Sequence, residues 1–113
     1  MKVINVYEQY FSADCTFNGV PRKAVNVRLT ATSDQGQIFY EASVSFFPHR
    51  DEEDFAISYD ACASKELFNG KGRRSKKRDE EFLASLRETA DGLAASLGGK
   101  IFWEDPLIEA RLG

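Results

Sequence analysis

Residues 70–99 read GKGRRSKKRDEEFLASLRETADGLAASLGG, a run of six cations that passes directly into an apolar-striped segment. Leu83, Leu86, Ala90, Leu93 and Leu97 recur at intervals of three and four, and Phe82 and Ala94 widen the stripe. This spacing predicts an amphipathic helix over about 78–97. Asp79, Glu80 and Glu81 fall where a first turn favours negative charge, and Gly98 with Gly99 supplies a residue able to end the helix in the left-handed conformation. Burial of Phe82 and the leucines contributes roughly 1.5–3 kcal/mol per side chain before entropy is counted, so the helix is expected to dock on an apolar surface of its own chain. The repeat lasts only about two heptads, short of the three or four that mark a coiled coil.

Working outward, the chain before the helix reads as strands. Residues 2–12 carry Ile4, Val6 and Tyr10 on one face, with Val3, Tyr7 and Phe11 blurring the alternation. Asn18-Gly19 is a two-residue hairpin signal, because both residue types tolerate positive φ. Over 20–32, Val25, Val27, Leu29 and Ala31 alternate with Asn26, Arg28, Thr30 and Thr32. Over 37–47, Ile38, Tyr40, Ala42, Val44 and Phe46 alternate with Phe39, Glu41, Ser43, Ser45 and Phe47. Ser33-Asp34-Gln35-Gly36 between them suits a type I turn, which would set Thr30 opposite Phe39, Arg28 opposite Glu41 and Asn26 opposite Ser43. Phe55, Ile57 and Tyr59 alternate within a fourth strand over 54–60, and residues 69–78 are expected to form a mobile basic loop. After the helix, Lys100–Trp103 reads as an added strand or extended clamp, and Asp105-Pro106 as the start of a terminal helical turn within 100–112.

The expected fold class is therefore α+β: a four-stranded antiparallel sheet, one long helix on its apolar face, and a short C-terminal strand or helical turn. At 113 residues the chain has room for one domain over 1–113 with a single core. Four strands followed by a helix resembles the element order of the single-stranded-DNA-binding transcriptional coactivators, which dimerise. The likeness stops at element order; no motif is shared, and it assigns no family.

Composition narrows the function classes. Hydrophobic residues at 42% and charged residues at 29% place the chain among globular proteins and away from disordered ones. No apolar run is long enough to span a bilayer, so no membrane partner is expected. The N-terminus turns polar too soon to form a signal-peptide core, and two cysteines, Cys15 and Cys62, are too few for a disulfide framework and lack metal-ligand spacing. A cytoplasmic setting with reduced thiols is expected, with no cofactor and no metal. The net charge of −3 hides an asymmetry: residues 71–78 hold six positive charges and no negative ones, leaving −9 on the rest of the chain.

The sharpest candidate site is that cationic run, Lys71, Arg73, Arg74, Lys76, Lys77 and Arg78. Side-chain charge, free backbone N–H groups and a helix N-terminus can together gather phosphates, which points to nucleic acid. Against it stands the ordinary behaviour of charge runs, which are usually solvated, and the acidity of the chain as a whole. Gly70-Lys71-Gly72 lacks the spacing of a Walker loop. A second candidate is the sheet face away from the helix, where Phe39 and Phe47 beside Arg28 suit either a protein interface or base stacking, with Trp103 contributing from the C-terminal segment. The plain alternative for Arg28 is a cross-strand pair with Glu41. Asp51–Asp54 lacks the spaced oxygens and glycine of a calcium loop. Cys62 with Asp60 or His49 does not form a nucleophile–base pair, so no catalytic residues are assigned. The sequence reading is thus a non-enzymatic interaction or regulatory module, homodimeric or bound to another protein. Nucleic-acid contact through residues 71–78 is the alternative.

Overall fold

A computed structural model of the chain describes residues 2–48 and 61–107. The described elements are β1 (Lys2–Phe17), β2 (Val20–Asp34), β3 (Gln37–Phe47), β4 (Cys62–Lys71), α1 (Lys76–Ser96) and β5 (Gly99–Pro106). Every neighbouring pair is antiparallel, in the order β4-β3-β2-β1-β5, so the sheet has five strands where the sequence suggested four. The first four strands form a meander, and α1 then carries the chain back across the sheet to lay β5 beside β1. Four strand spacings amount to roughly 19 Å, and a 21-residue helix is roughly 31 Å long, so one helix suffices for the return.

The alternation read in β2 and β3 sets the core. Val25, Val27 and Leu29 pair with Phe46, Val44 and Ala42, and all are fully buried beneath the helix. Leu86, Ala90 and Ala94 are the buried helix positions, flanked by half-buried Phe82, Leu93 and Leu97. Two alanines at this contact let the helix axis approach the sheet closely. Leu83, expected in the stripe, is 37% exposed, because the buried face centres on positions 86, 90 and 94 and turns it outward.

The two hairpins that join β1 to β2 and β2 to β3 each turn through two residues with positive φ. Asn18 (52°) and Gly19 (75°) close the first as their residue types predict, and Gln35 (49°) and Gly36 (79°) close the second. The second turn therefore begins at Asp34, one residue later than the type I reading. Thr30 consequently faces Glu41, Arg28 faces Ser43 and Asn26 faces Ser45.

The expected fourth strand over 54–60 lies outside the described residues. Ahead of the helix, Cys62–Lys71 is a strand that pairs with β3 along its length and bulges at Leu67. The ten-residue basic loop is thereby reduced to Gly72–Ser75, with Asn69–Lys71 in β4 and Lys76–Arg78 in the first turn of α1. The helix begins at Lys76, two residues earlier than expected, because Ser75 caps it: its Oγ accepts from the Arg78 N–H at 3.2 Å. Lys100–Trp103 is an added strand as expected. Asp105 and Pro106 continue that strand and do not begin a helix; Ile108–Leu112 lies outside the described residues.

Candidate functional site

Three features could carry function: the outer edge at β5, the sheet face away from the helix, and the cationic end around Gly72.

At the first, Gly99–Phe102 pairs regularly with Cys15–Ser12, and Trp103, Glu104 and Asp105 then form a bulge before Pro106 meets Phe11. Alternation sends Ile101 into the core and turns Phe102, 41% exposed, to the opposite face. Trp103 belongs to the helix side: its indole N–H donates to Asp91 Oδ1 at 2.9 Å, its ring meets Phe11 edge-on with centroids 4.9 Å apart, and the Arg87 guanidinium sits 5.3 Å from its centroid. It is therefore not part of the face that holds Arg28, Phe39 and Phe47. A groove of about 470 Å³ is lined by residues 99–104 together with Arg87, Asp91 and Ala94. Because consecutive strand residues from both faces line it, the groove follows the outer edge of β5. Among the described residues no strand pairs with that edge.

On the second, Phe39 and Phe47 share a face, yet eight residues of extended chain separate them by roughly 27 Å. They cannot form one stacking platform. Phe47, expected to be exposed, is only 5% so, with the Tyr10 ring centroid 6.2 Å away; Phe39 is half-buried, opposite Thr32 and Asn69. Arg28 pairs with Glu8 and not Glu41: Nε and Nη2 donate to Glu8 Oε2 at 3.1 and 2.9 Å. The later start of the second hairpin moves Glu41 opposite Thr30, while Glu8 lies directly across β1 from Arg28. Asn26, buried, donates to the same carboxylate at 3.0 Å. This face is a built polar network at its centre and not an open aromatic surface.

At the third, the six cations divide by what holds them. Arg74 donates from Nε to Asp79 Oδ2 at 2.8 Å, and Tyr40 Oη donates to Asp79 Oδ1 at 2.6 Å. Burial pushes the Asp79 carboxyl up, but the hydrogen bonds from Arg74 and Tyr40, with the Arg74 charge, outweigh it and hold the group below the ordinary carboxylate value. Burial, followed by the Asp79 hydrogen bond, raises the Tyr40 phenol. Arg78 lies 4.1 Å above the Phe68 ring, which itself folds over Gly70 where a Cβ would come within 3.0 Å. Lys71, Arg73, Lys76 and Lys77 are exposed. The Gly72 N–H donates to Gly36 O at 2.9 Å, which ties the connection to the second hairpin. Lys2, opposite Ser33 in the sheet, joins this end, and a shallow groove of about 550 Å³ is lined by Lys2, Asp34, Gly36, Gly72, Arg73 and Arg74.

Sequence reasoning missed Asp79 as an anchor, reading it as first-turn charge; the available signal was Tyr40, a phenol placed mid-strand on the core face that needs a polar partner. It also missed Lys2, which only the sheet register brings to the cationic end. Cys62 is exposed at the start of β4, whereas Cys15 is buried and burial raises its thiol, with Arg22 partly offsetting this. His49, Asp51–Asp54 and Asp60 lie outside the described residues. Among the described residues no three His, Cys, Asp or Glu side chains gather as a metal site, and no helix is long and apolar enough to cross a membrane. Comparison with protein-family models, with curated proteins and with solved structures finds no match to this chain.

Proposed function

We propose that this chain is a small non-enzymatic interaction module that works as a homodimer, joined along the outer edge of β5. The observation that carries this reading is the position of β5: it ends the sheet, its outer edge has no partner strand among the described residues, and it holds Phe102 out to solvent at 41% exposure. An edge of this kind is a template for another strand. The strand also complements itself. Antiparallel pairing about a two-fold axis through Phe102 sets Lys100 opposite Glu104 of the second copy, twice, with the two phenylalanines between them. Moving the axis by one residue sets Lys100 opposite Phe102, or Phe102 opposite Glu104, and moving it further stacks like charges. The exposed thiol of Cys62 and the buried thiol of Cys15 are in keeping with a reducing, cytoplasmic setting.

Light scattering coupled to size exclusion at micromolar concentration tests the reading. A dimer is expected, and Phe102→Asp should shift it to monomer. Lys100→Glu and Glu104→Lys should each weaken it, and mixing the two variants should restore a heterodimer. A strictly monomeric wild-type chain would end the proposal.

A further inference from the structure

We infer that the cationic end of the molecule is a nucleic-acid contact surface that grips phosphates through Lys2, Lys71, Arg73, Lys76 and Lys77. The inference is independent of the β5 dimer, since it uses the far end of the β1–β2 pair and the opposite edge of the sheet.

The argument starts from the division of the charge run. Two of its six members are committed within the fold: Arg74 to the buried Asp79, and Arg78 to the Phe68 ring. The other four are exposed and make no ion pair among the described residues. Elsewhere this chain does pair exposed cations, Lys23 with Asp14 at 3.2 Å and Arg28 with Glu8 at 2.9 Å. The four are also not on a free loop. Lys71 closes β4 opposite Gln37, the Gly72 N–H is bound to Gly36, and Lys76 and Lys77 stand in a helical turn capped by Ser75. Arg74 and Arg78 thus serve as fasteners that hold the free cations in position.

Topology then adds a charge that the sequence places far away. Lys2 begins β1 opposite Ser33, beside the second hairpin, and lines the same groove as Arg73. Asp34 is the one acidic residue on that groove. Its walls at Gly36 and Gly72 carry no side chain, so a backbone can approach closely there. Five free cations gather at this end, whereas the other charges of the described residues sum to −4. A polyanion is steered to that end. Residues 71–77 span at most roughly 20 Å, which matches a few consecutive phosphates and not a single one. At this end the Phe68 ring lies under the Arg78 guanidinium and is not open to a base. The surface therefore reads backbone charge and not base identity.

Fluorescence anisotropy with labelled oligonucleotides of one sequence, single-stranded and duplex, decides the matter. Binding at low salt is expected for at least one form, little affected by changing the sequence, with a log–log salt slope of about −3 to −5. Replacing Lys71, Arg73, Lys76 and Lys77 together by Gln should weaken binding by at least about tenfold and flatten the slope toward −1. If that variant does not fold, the single changes Lys76→Gln and Lys77→Gln, both on an exposed helical turn, should each reduce the slope by about one. Absence of binding to either form at low salt, or a slope that these changes leave untouched, overturns the inference. Phe102→Asp should leave the per-chain slope unchanged, so failure here and failure of the dimer are read separately.

Discussion

The Tyr40 hydroxyl donates to Asp79 Oδ1 across 2.6 Å and thereby fastens the middle of β3 to the first turn of α1. Tyr40 is fully buried and Asp79 nearly so, and Arg74 takes the second carboxylate oxygen at 2.8 Å. The bond holds the helix N-terminus, and with it the cationic end, at a fixed height above the sheet. Tyr40→Phe leaves one carboxylate oxygen without its buried donor and should cost about 1–3 kcal/mol in urea unfolding, with an unchanged denaturant slope. Asp79→Ala orphans both the phenol and the guanidinium and should cost more than Tyr40→Phe.

The same pair predicts a pH dependence with two signs. Asp79 has a depressed folded pKa, so its contribution is present above the ordinary carboxylate value of about 4 and is lost as pH falls through the lower folded value. Wild type should exceed Asp79→Asn in stability at neutral pH, with the gap narrowing below about pH 4. Tyr40 has a raised folded pKa, so its contribution is present below the ordinary phenol value of about 10 and is lost as pH rises through the higher folded one. Unfolding curves across both ranges for wild type, Asp79→Asn and Tyr40→Phe measure this directly.

Gly99 marks where β5 presses closest to the core. An added Cβ would stand 2.7 Å from the Phe46 ring and 3.1 Å from Cys15 Sγ, both buried. Gly99→Ala should destabilise by about 1–3 kcal/mol through overpacking. Gly92→Ala is the control, since nothing lies within 4 Å of its Cβ position; on the helix it should be neutral or stabilising by up to about 1 kcal/mol. Thermal unfolding of the two variants side by side separates the effects.

How much of this was legible depended on whether local chemistry or tertiary pairing decided each element. The helix and the β2–β3 core face were legible because most of their buried residues follow one period, Leu83 being turned outward, and Asn18-Gly19 because its residue types are those that accept positive φ. The second hairpin was misplaced by one residue because Gln35 is not a usual occupant of positive φ; the tight turn imposes it, and the error shifted the β2–β3 register. β4 was hidden for a different reason. Lys65, Glu66, Asn69 and Gly70 interrupt its apolar pattern, and the bulge at Leu67 breaks its period, as suits a strand at the edge of a sheet. Of the candidate site, the charge run was plain in the sequence. Its division into fastened and free members was not, because Asp79, Phe68 and Lys2 acquire their roles only through the fold.

That division gives the last prediction. If Arg74 and Arg78 are fasteners, their loss should be felt in stability: Arg74→Ala strips a charge-assisted bond from buried Asp79 and should cost about 1.5–3 kcal/mol, less whatever its partial exposure to solvent screens away. Arg78→Ala removes a cation stacked on Phe68 and should cost about 0.5–1 kcal/mol. Lys71→Gln, Arg73→Gln, Lys76→Gln and Lys77→Gln should each change stability by less than about 0.5 kcal/mol, because their side chains touch solvent and nothing that needs them. Chemical denaturation of the six single variants should therefore fall into two groups, and equal effects across all six would erase the distinction. Lys76 and Lys77 carry a further sign. They stand at the positive end of the helix dipole, where a cation is unfavourable, so neutralising them should if anything raise stability by a few tenths of a kcal/mol.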